Sequence, residues 1–244
     1  MKFRQFNSFA ITYYIVSRKD SYIMSTIIDT IIFDLDGTLL NTLTDLTNSV
    51  NFALNKYQLP TYSEDAVRQM VGNGVTVLME RAIPGGHAFE KFECCLNDFK
   101  EHYEAHKKDF TKPFPGILEF LAEASQKNYK LAVVSNKFDL AVKGLCEDFF
   151  APYITTAIGE SAQTAPKPAP DTVLKAMQEL QVSPQQCIYV GDSDVDIATA
   201  QNAGIPCLSV SWGFRPRTFL EQHGAKIIAD TVTELKEIIF YWEV

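Results

Sequence analysis

Six short apolar runs punctuate the chain, at 29–34, 130–135, 153–158, 187–191, 206–210 and 226–228. They are continuous and rich in β-branched residues, without polar alternation. Runs of that kind are expected of strands buried on both faces, as in a parallel sheet covered by helices. Between most of them the apolar spacing changes to three and four. Ile117, Leu118, Leu121 and Ala124 fall on one predicted helical face, and Val173, Leu174, Met177 and Leu180 on another. Strands alternating with helices predict an α/β protein whose core is a Rossmann-like, doubly wound parallel sheet.

The interval between the first two runs is too long for one crossover. Within it Leu43, Leu46, Val50, Ala53, Leu54 and Tyr57 form one helical stripe, and Phe89, Phe92, Leu96, Phe99 and Tyr103 another that can pack against it. Residues 42–112 therefore read as a helical insert, a second subdomain. It ends at Thr111-Lys112-Pro113-Phe114-Pro115-Gly116, where prolines and glycine break any helix. The core is then built from 24–41 and 113–244. Residues 1–23 carry a modest apolar run, Phe9 to Val16, that is too short to span a bilayer. No small-x-small cleavage site follows it, so a signal peptide is not expected. The extension is read as a loosely attached tail or an over-extended start, with Met24 close to the first strand.

Composition narrows the class of partner. The 244 residues include 30 acidic and 22 basic side chains, a net charge of −8. Such a surface is repelled by nucleic acid and anionic membrane, so neither is an expected partner. An anionic ligand must instead be drawn by a local cation or dipole. Five cysteines form no C-x-x-C pair and read as reduced thiols, in keeping with a cytoplasmic protein. Oligomeric state is not legible.

The candidate chemistry begins at the end of the first run, Ile31-Ile32-Phe33-Asp34-Leu35-Asp36-Gly37-Thr38. Residues two apart on a strand point to one side, so Asp34 and Asp36 start as neighbours, and Gly37 lets the chain turn. Crowded carboxylates repel unless one is protonated or a cation lies between them. Three later segments suit the same kind of site: Ser135-Asn136 closing an apolar run, Lys167 between Pro166 and Pro168, and Gly191-Asp192-Ser193-Asp194-Val195-Asp196 closing another. Each alone has a plain structural reading, as an acidic turn, a helix cap or an exposed loop. In order and together, D-x-D-G-T, S-N, K-P and G-D-x-x-x-D resemble the haloacid dehalogenase superfamily in its phosphatase branch, over about residues 27–235, with details most similar to phosphoglycolate phosphatases.

That resemblance implies a magnesium-dependent phosphomonoester hydrolase acting on a small phosphorylated metabolite, 2-phosphoglycolate foremost. Asp34 would be the nucleophile and would carry the phosphoryl group as an aspartyl-phosphate. Asp36 would protonate the leaving alkoxide and then activate water. The Asp34 side chain, the Asp36 carbonyl and Asp192 would hold Mg²⁺. Ser135, Asn136 and Lys167 would bind the phosphoryl oxygens. Asp196 would support the metal shell through water or pair with the lysine, Gly37 and Thr38 would shape the turn, and Asp194 would cap the next helix. The insert would be a mobile helical cap. Its Gly72-Asn73-Gly74 turn, which opens a helix containing Arg81, would contact a substrate carboxylate; as a bare motif it is equally an N-capped turn. A phosphosugar mutase or a pyrophosphatase on the same fold remains an alternative. A hydrolytic dehalogenase has no need of a proton donor at position 36, and a non-enzymatic binding module would not need every catalytic position filled.

Overall fold

The computed structural model describes residues 28–242, and the N-terminal extension read from the sequence lies outside them. The chain opens with β1 (Thr30–Phe33) and the short β2 (Leu40–Asn41), then enters four helices, α1 (Leu43–Lys56), α2 (Glu64–Met70), α3 (Val75–Ala82) and α4 (Phe92–His106). It returns through β3 (Lys112–Pro113), followed by α5 (Ile117–Gln126), β4 (Lys130–Phe138), α6 (Asp139–Phe150) and β5 (Thr156–Glu160). The remainder runs α7 (Asp171–Leu180), β6 (Cys187–Gly191), α8 (Asp194–Ala203), β7 (Cys207–Val210), α9 (Arg217–Gln222), β8 (Ile228–Ala229) and α10 (Val232–Phe240).

Six strands form one parallel sheet in the order β5-β4-β1-β6-β7-β8. The first strand is thus central. The chain builds outward on one side of it through β4 and β5, then crosses back to build the other side. This reversal of strand order is where open α/β sheets leave a crevice beyond their carboxyl ends. Alternate residues of β1 serve opposite faces: Ile31 and Phe33 pack with α5, α6 and α10, whereas Ile32 packs with α7 and α8. All three are fully buried, each worth about 1.5–3 kcal/mol of apolar burial. The α/β expectation holds, and the continuous apolar runs follow from burial on both faces.

The helices α1 to α4 bury a separate apolar cluster, including Leu46, Leu54, Met79, Leu96 and Phe99. The two chain segments that join this insert to the sheet pair with each other: Leu40 and Asn41 of β2 lie antiparallel to Pro113 and Lys112 of β3. Two residues per strand are too few for a periodic signal, so this ladder was not legible.

Several local expectations need adjustment. On α5 it is Phe120, not Leu118, that completes the buried face, and on α7 it is Ala176, not Leu174; Leu118 and Leu174 are 41% and 49% exposed. The run expected at 153–158 becomes a strand only at Thr156, because Tyr153 and Ile154 are still bonded to Phe150 at the end of α6. The run expected to stop at Ser135 continues to Phe138 and carries Lys137 into the interior. The N-cap of α8 is Ser193, whose hydroxyl accepts from the Asp196 N–H, while Asp194 is the first helical residue.

Candidate active site

Register brings the motifs together. Phe33 is aligned with Val133 of β4 and Val190 of β6, so the residues that follow these strands emerge on one edge. Asp34 is the first residue beyond β1, its N–H donating to the Val190 carbonyl at 2.9 Å. Gly37, at φ +89°, turns the chain, and Thr38 and Asp192 meet across the loops with a 3.3 Å hydrogen bond. Glycine is obligatory at two places around Asp192. A Cβ on Gly37 or on Gly213 would lie 2.4 Å from the Asp192 side chain. The site is assembled by backbone approach that only glycine permits.

Three carboxylates, Asp34, Asp192 and Asp196, converge so that one oxygen of each lies within 4.8 Å of the others, all buried. Lys167 is the cation among them. Its Nζ donates to Asp34 Oδ1 at 2.8 Å, to Asp196 Oδ1 at 2.7 Å and to the Tyr189 hydroxyl at 3.1 Å. Three carboxylates against one ammonium leave two negative charges in a buried place. Burial pushes Asp34 up to about 7, with Lys167 opposing and Asp196 reinforcing the rise. Burial likewise holds Asp192 well above its usual range, reinforced by Asp196 and Asp34. Burial alone would lower the Lys167 ammonium, but Asp196 and Asp34 outweigh it and keep it charged. An all-oxygen donor set with that excess charge fits a hard divalent cation, which would restore the ionised carboxylates.

Asp36 is placed differently. Its Oδ1 accepts from the Thr42 hydroxyl at 2.6 Å, and its Oδ2 lies 3.0 Å from the Lys137 ammonium. Lys137 is 4% exposed and sits 4.5 Å over the Tyr103 ring of α4. Burial would lower its pKa, but Asp36, then Tyr103, outweigh this and hold it charged. Both Asp34 and Asp36 line a cleft that is also walled by Leu46, Val75 and Leu78 of the helical insert.

Ser135 lines the same cleft; its hydroxyl oxygen accepts from the Lys137 N–H at 3.2 Å and its proton is left to donate. The expected role of Asn136 changes. Its side chain brackets the backbone of Lys167, accepting from the N–H at 2.7 Å and donating to the carbonyl at 3.1 Å. Its second N–H donates to the Gly72 carbonyl at 3.4 Å, so both amide hydrogens are engaged and no side-chain donor is left over for phosphate. Asn73 is likewise redirected. Its Oδ1 accepts from Arg81 at 2.8 Å, and it is Gly72 and Gly74, not Asn73, that line the cleft.

Lys137, Tyr189 and Arg215 were not legible as site residues. Tyr189 lies inside an apolar strand and reads as core. Lys137 had one usable signal, a lysine directly after the Ser135-Asn136 pair. Arg215 lies beyond every motif and reaches the cleft only through tertiary contact. All five cysteine thiols are unpaired. No helix among the described residues is long and apolar enough to cross a membrane.

Known proteins place this arrangement. A profile of the haloacid dehalogenase-like hydrolases matches residues 31–210. The chain is 34% identical to a phosphoglycolate phosphatase of Caulobacter vibrioides over 213 residues, 84% of this chain and 90% of that protein. It is 32% identical to a phosphoglycolate phosphatase of Aquifex aeolicus over 185 residues, 75% of this chain and 85% of the relative. Among solved structures, a protein of Lactobacillus delbrueckii subsp. bulgaricus, assigned provisionally as a phosphoglycolate phosphatase, superposes with a TM-score of 0.84 at 36% identity, covering 87% of this chain and 98% of that one. With its parallel sheet, its motifs on one strand edge and its buried acidic cluster, the chain belongs to the haloacid dehalogenase-like hydrolases and is a phosphatase.

Proposed function

We propose that this protein hydrolyses a small phosphomonoester, 2-phosphoglycolate in the first instance, through an aspartyl-phosphate on Asp34 with Mg²⁺ bound beside it. The convergence of Asp34, Asp192 and Asp196 with Lys167 in one buried cluster carries this reading. The names borne by relatives at about one-third identity favour phosphoglycolate.

Asp34 would attack phosphorus, forming a bond from one carboxylate oxygen while the ester oxygen departs. Asp36, at the same cleft and fixed by Thr42 and Lys137, would give that oxygen a proton and later take one from the water that attacks the acyl phosphate. Lys167, freed in part from Asp34 when that carboxylate becomes esterified, would hold a phosphoryl oxygen, as would the Ser135 hydroxyl. Asn136 would keep the lysine backbone in place. The Asp34 and Asp192 side chains and the Asp36 carbonyl would hold Mg²⁺, which supplies neutralisation of the nucleophile and phosphoryl group as they approach.

The test is steady-state release of inorganic phosphate from 2-phosphoglycolate, with Mg²⁺ and with excess chelator, by wild type and Asp34→Asn. Expected are turnover with Mg²⁺, none with chelator, and a loss of roughly 10⁴-fold in the folded variant. Release that needs a sugar bisphosphate would favour a mutase. Full activity in chelator, or in Asp34→Asn, would overturn the mechanism.

A further inference from the structure

Three cations line the cleft, Lys137, Lys167 and Arg215. The two lysines are each matched to carboxylates: Lys167 to Asp34 and Asp196, Lys137 to Asp36. Arg215, in the loop between β7 and α9, is different. It is 9% exposed, yet among the described residues no carboxylate oxygen lies within 4.0 Å of its guanidinium. Its hydrogen-bond partners are neutral. Nη1 donates to the Arg68 carbonyl at 2.8 Å, and Nη2 to the carbonyls of Val71 at 2.7 Å and Gln69 at 3.5 Å.

A guanidinium has five N–H donors. Those three bonds leave Nε–H and one Nη1 hydrogen without a partner among the described residues. The group lies against the glycine turn at the cleft wall, since a Cβ on Gly72 would be 3.8 Å from Nη2. The carboxyl end of α2 and the Phe219 ring, 5.6 Å from the guanidinium carbon, hold the cation in place without cancelling its charge, and a carboxylate is the group whose planar oxygens suit the donors left over.

We propose that Arg215 is the subsite for a second anionic group on the substrate, a carboxylate, so that the enzyme selects short phosphomonoesters that also carry one. Lys167 and the acidic cluster engage the phosphoryl end, and Arg215 engages the other. The carbonyls of Arg68, Gln69 and Val71 orient the guanidinium without neutralising it. This subsite replaces Asn73, whose side chain is turned to Arg81. The proposal rests on the phosphatase reading above and names the substrate class of that same cleft.

The experiment compares 2-phosphoglycolate with ethyl phosphate, in which a methyl group stands in place of the carboxylate, for wild type, Arg215→Met and Arg215→Gln. Glutamine keeps a side-chain N–H donor but has no charge. Both variants are expected to lose roughly 10- to 100-fold in kcat/KM on 2-phosphoglycolate, mostly through KM, because a charged hydrogen-bond partner is gone. On ethyl phosphate they are expected to stay within about threefold of wild type, since the phosphoryl-side groups are untouched. An equal loss on both substrates would make Arg215 a strut between loop and helix and overturn the proposal. Failure of both variants to fold, or a wild type that handles ethyl phosphate as well as 2-phosphoglycolate, would overturn it too. If wild type releases no phosphate from either ester, the phosphatase reading itself fails, which is a separate outcome.

Discussion

Lys137 shows how much one side chain can decide. Its ammonium holds one oxygen of Asp36 while Thr42 holds the other, so the carboxylate has a single orientation at the cleft. Removing the ammonium leaves the carboxylate free to turn away from the leaving oxygen. Lys137→Met is therefore expected to lower kcat on an alkyl phosphate by about 10²-fold, within the range for a lost general acid. p-Nitrophenyl phosphate, whose leaving group needs no proton, is expected to fall less than about fivefold by the same reasoning. Parallel kinetics on the two esters check this, and equal losses would mean that Lys137 only holds the strand end together. At this scale the sequence displayed Asp34, Asp36, Lys167 and Asp192 because each ends an apolar run or sits between prolines. It concealed Arg215, since a lone arginine beyond a strand has no local signature, and it concealed the commitment of the Asn136 amide, which depends on a backbone 31 residues away.

At the level of elements, strand register does the assembling. The parallel pairing of β1 with β4 and β6 delivers Asp34, Ser135 and Asp192 to one edge, and the loops there approach closely enough that side chains are excluded. Gly213→Ala tests that closeness. Its Cβ would strike Asp192, whose Oδ2 also accepts from the Phe214 N–H at 2.6 Å. The variant is expected to bind Mg²⁺ at least about tenfold more weakly, because a displaced ligand loses its place in a six-coordinate shell. Titration calorimetry reads this directly, and unchanged affinity would remove Asp192 from the proposed ligands. The main strands were legible because burial on both faces leaves an unmistakable apolar run. The boundaries failed where a helix end imitates a strand, at Tyr153 and Ile154, and where a strand carries polar residues inward, at Ser135 to Lys137. The buried faces of α5 and α7 were misjudged by one position each, since leucine at 118 or 174 satisfies the helical period without reaching the sheet.

Across the whole molecule, a net charge of −8 is joined to a buried cluster in which three carboxylates share one ammonium. A cation that binds the folded chain there and has no site in the unfolded chain must stabilise the fold. At a concentration of Mg²⁺ about 100 times its dissociation constant, the melting temperature is expected to rise by roughly 5–10 °C. Thermal unfolding with and without Mg²⁺ checks it, and a melting temperature indifferent to Mg²⁺ would argue that the carboxylates are neutralised by protons instead. The ladder between β2 and β3 bears on motion at this scale. Were the two connecting segments independent, the helical insert would be tethered by two strings and free to twist, slide and tilt over the sheet. Hydrogen-bonded to each other through Leu40, Asn41, Lys112 and Pro113, they make one ribbon. A ribbon bends easily across its flat face and resists shear along its length. A swing of the insert, which the resemblance implies, would then be confined to essentially one direction and would return Leu46, Val75 and Leu78 to the same wall of the cleft.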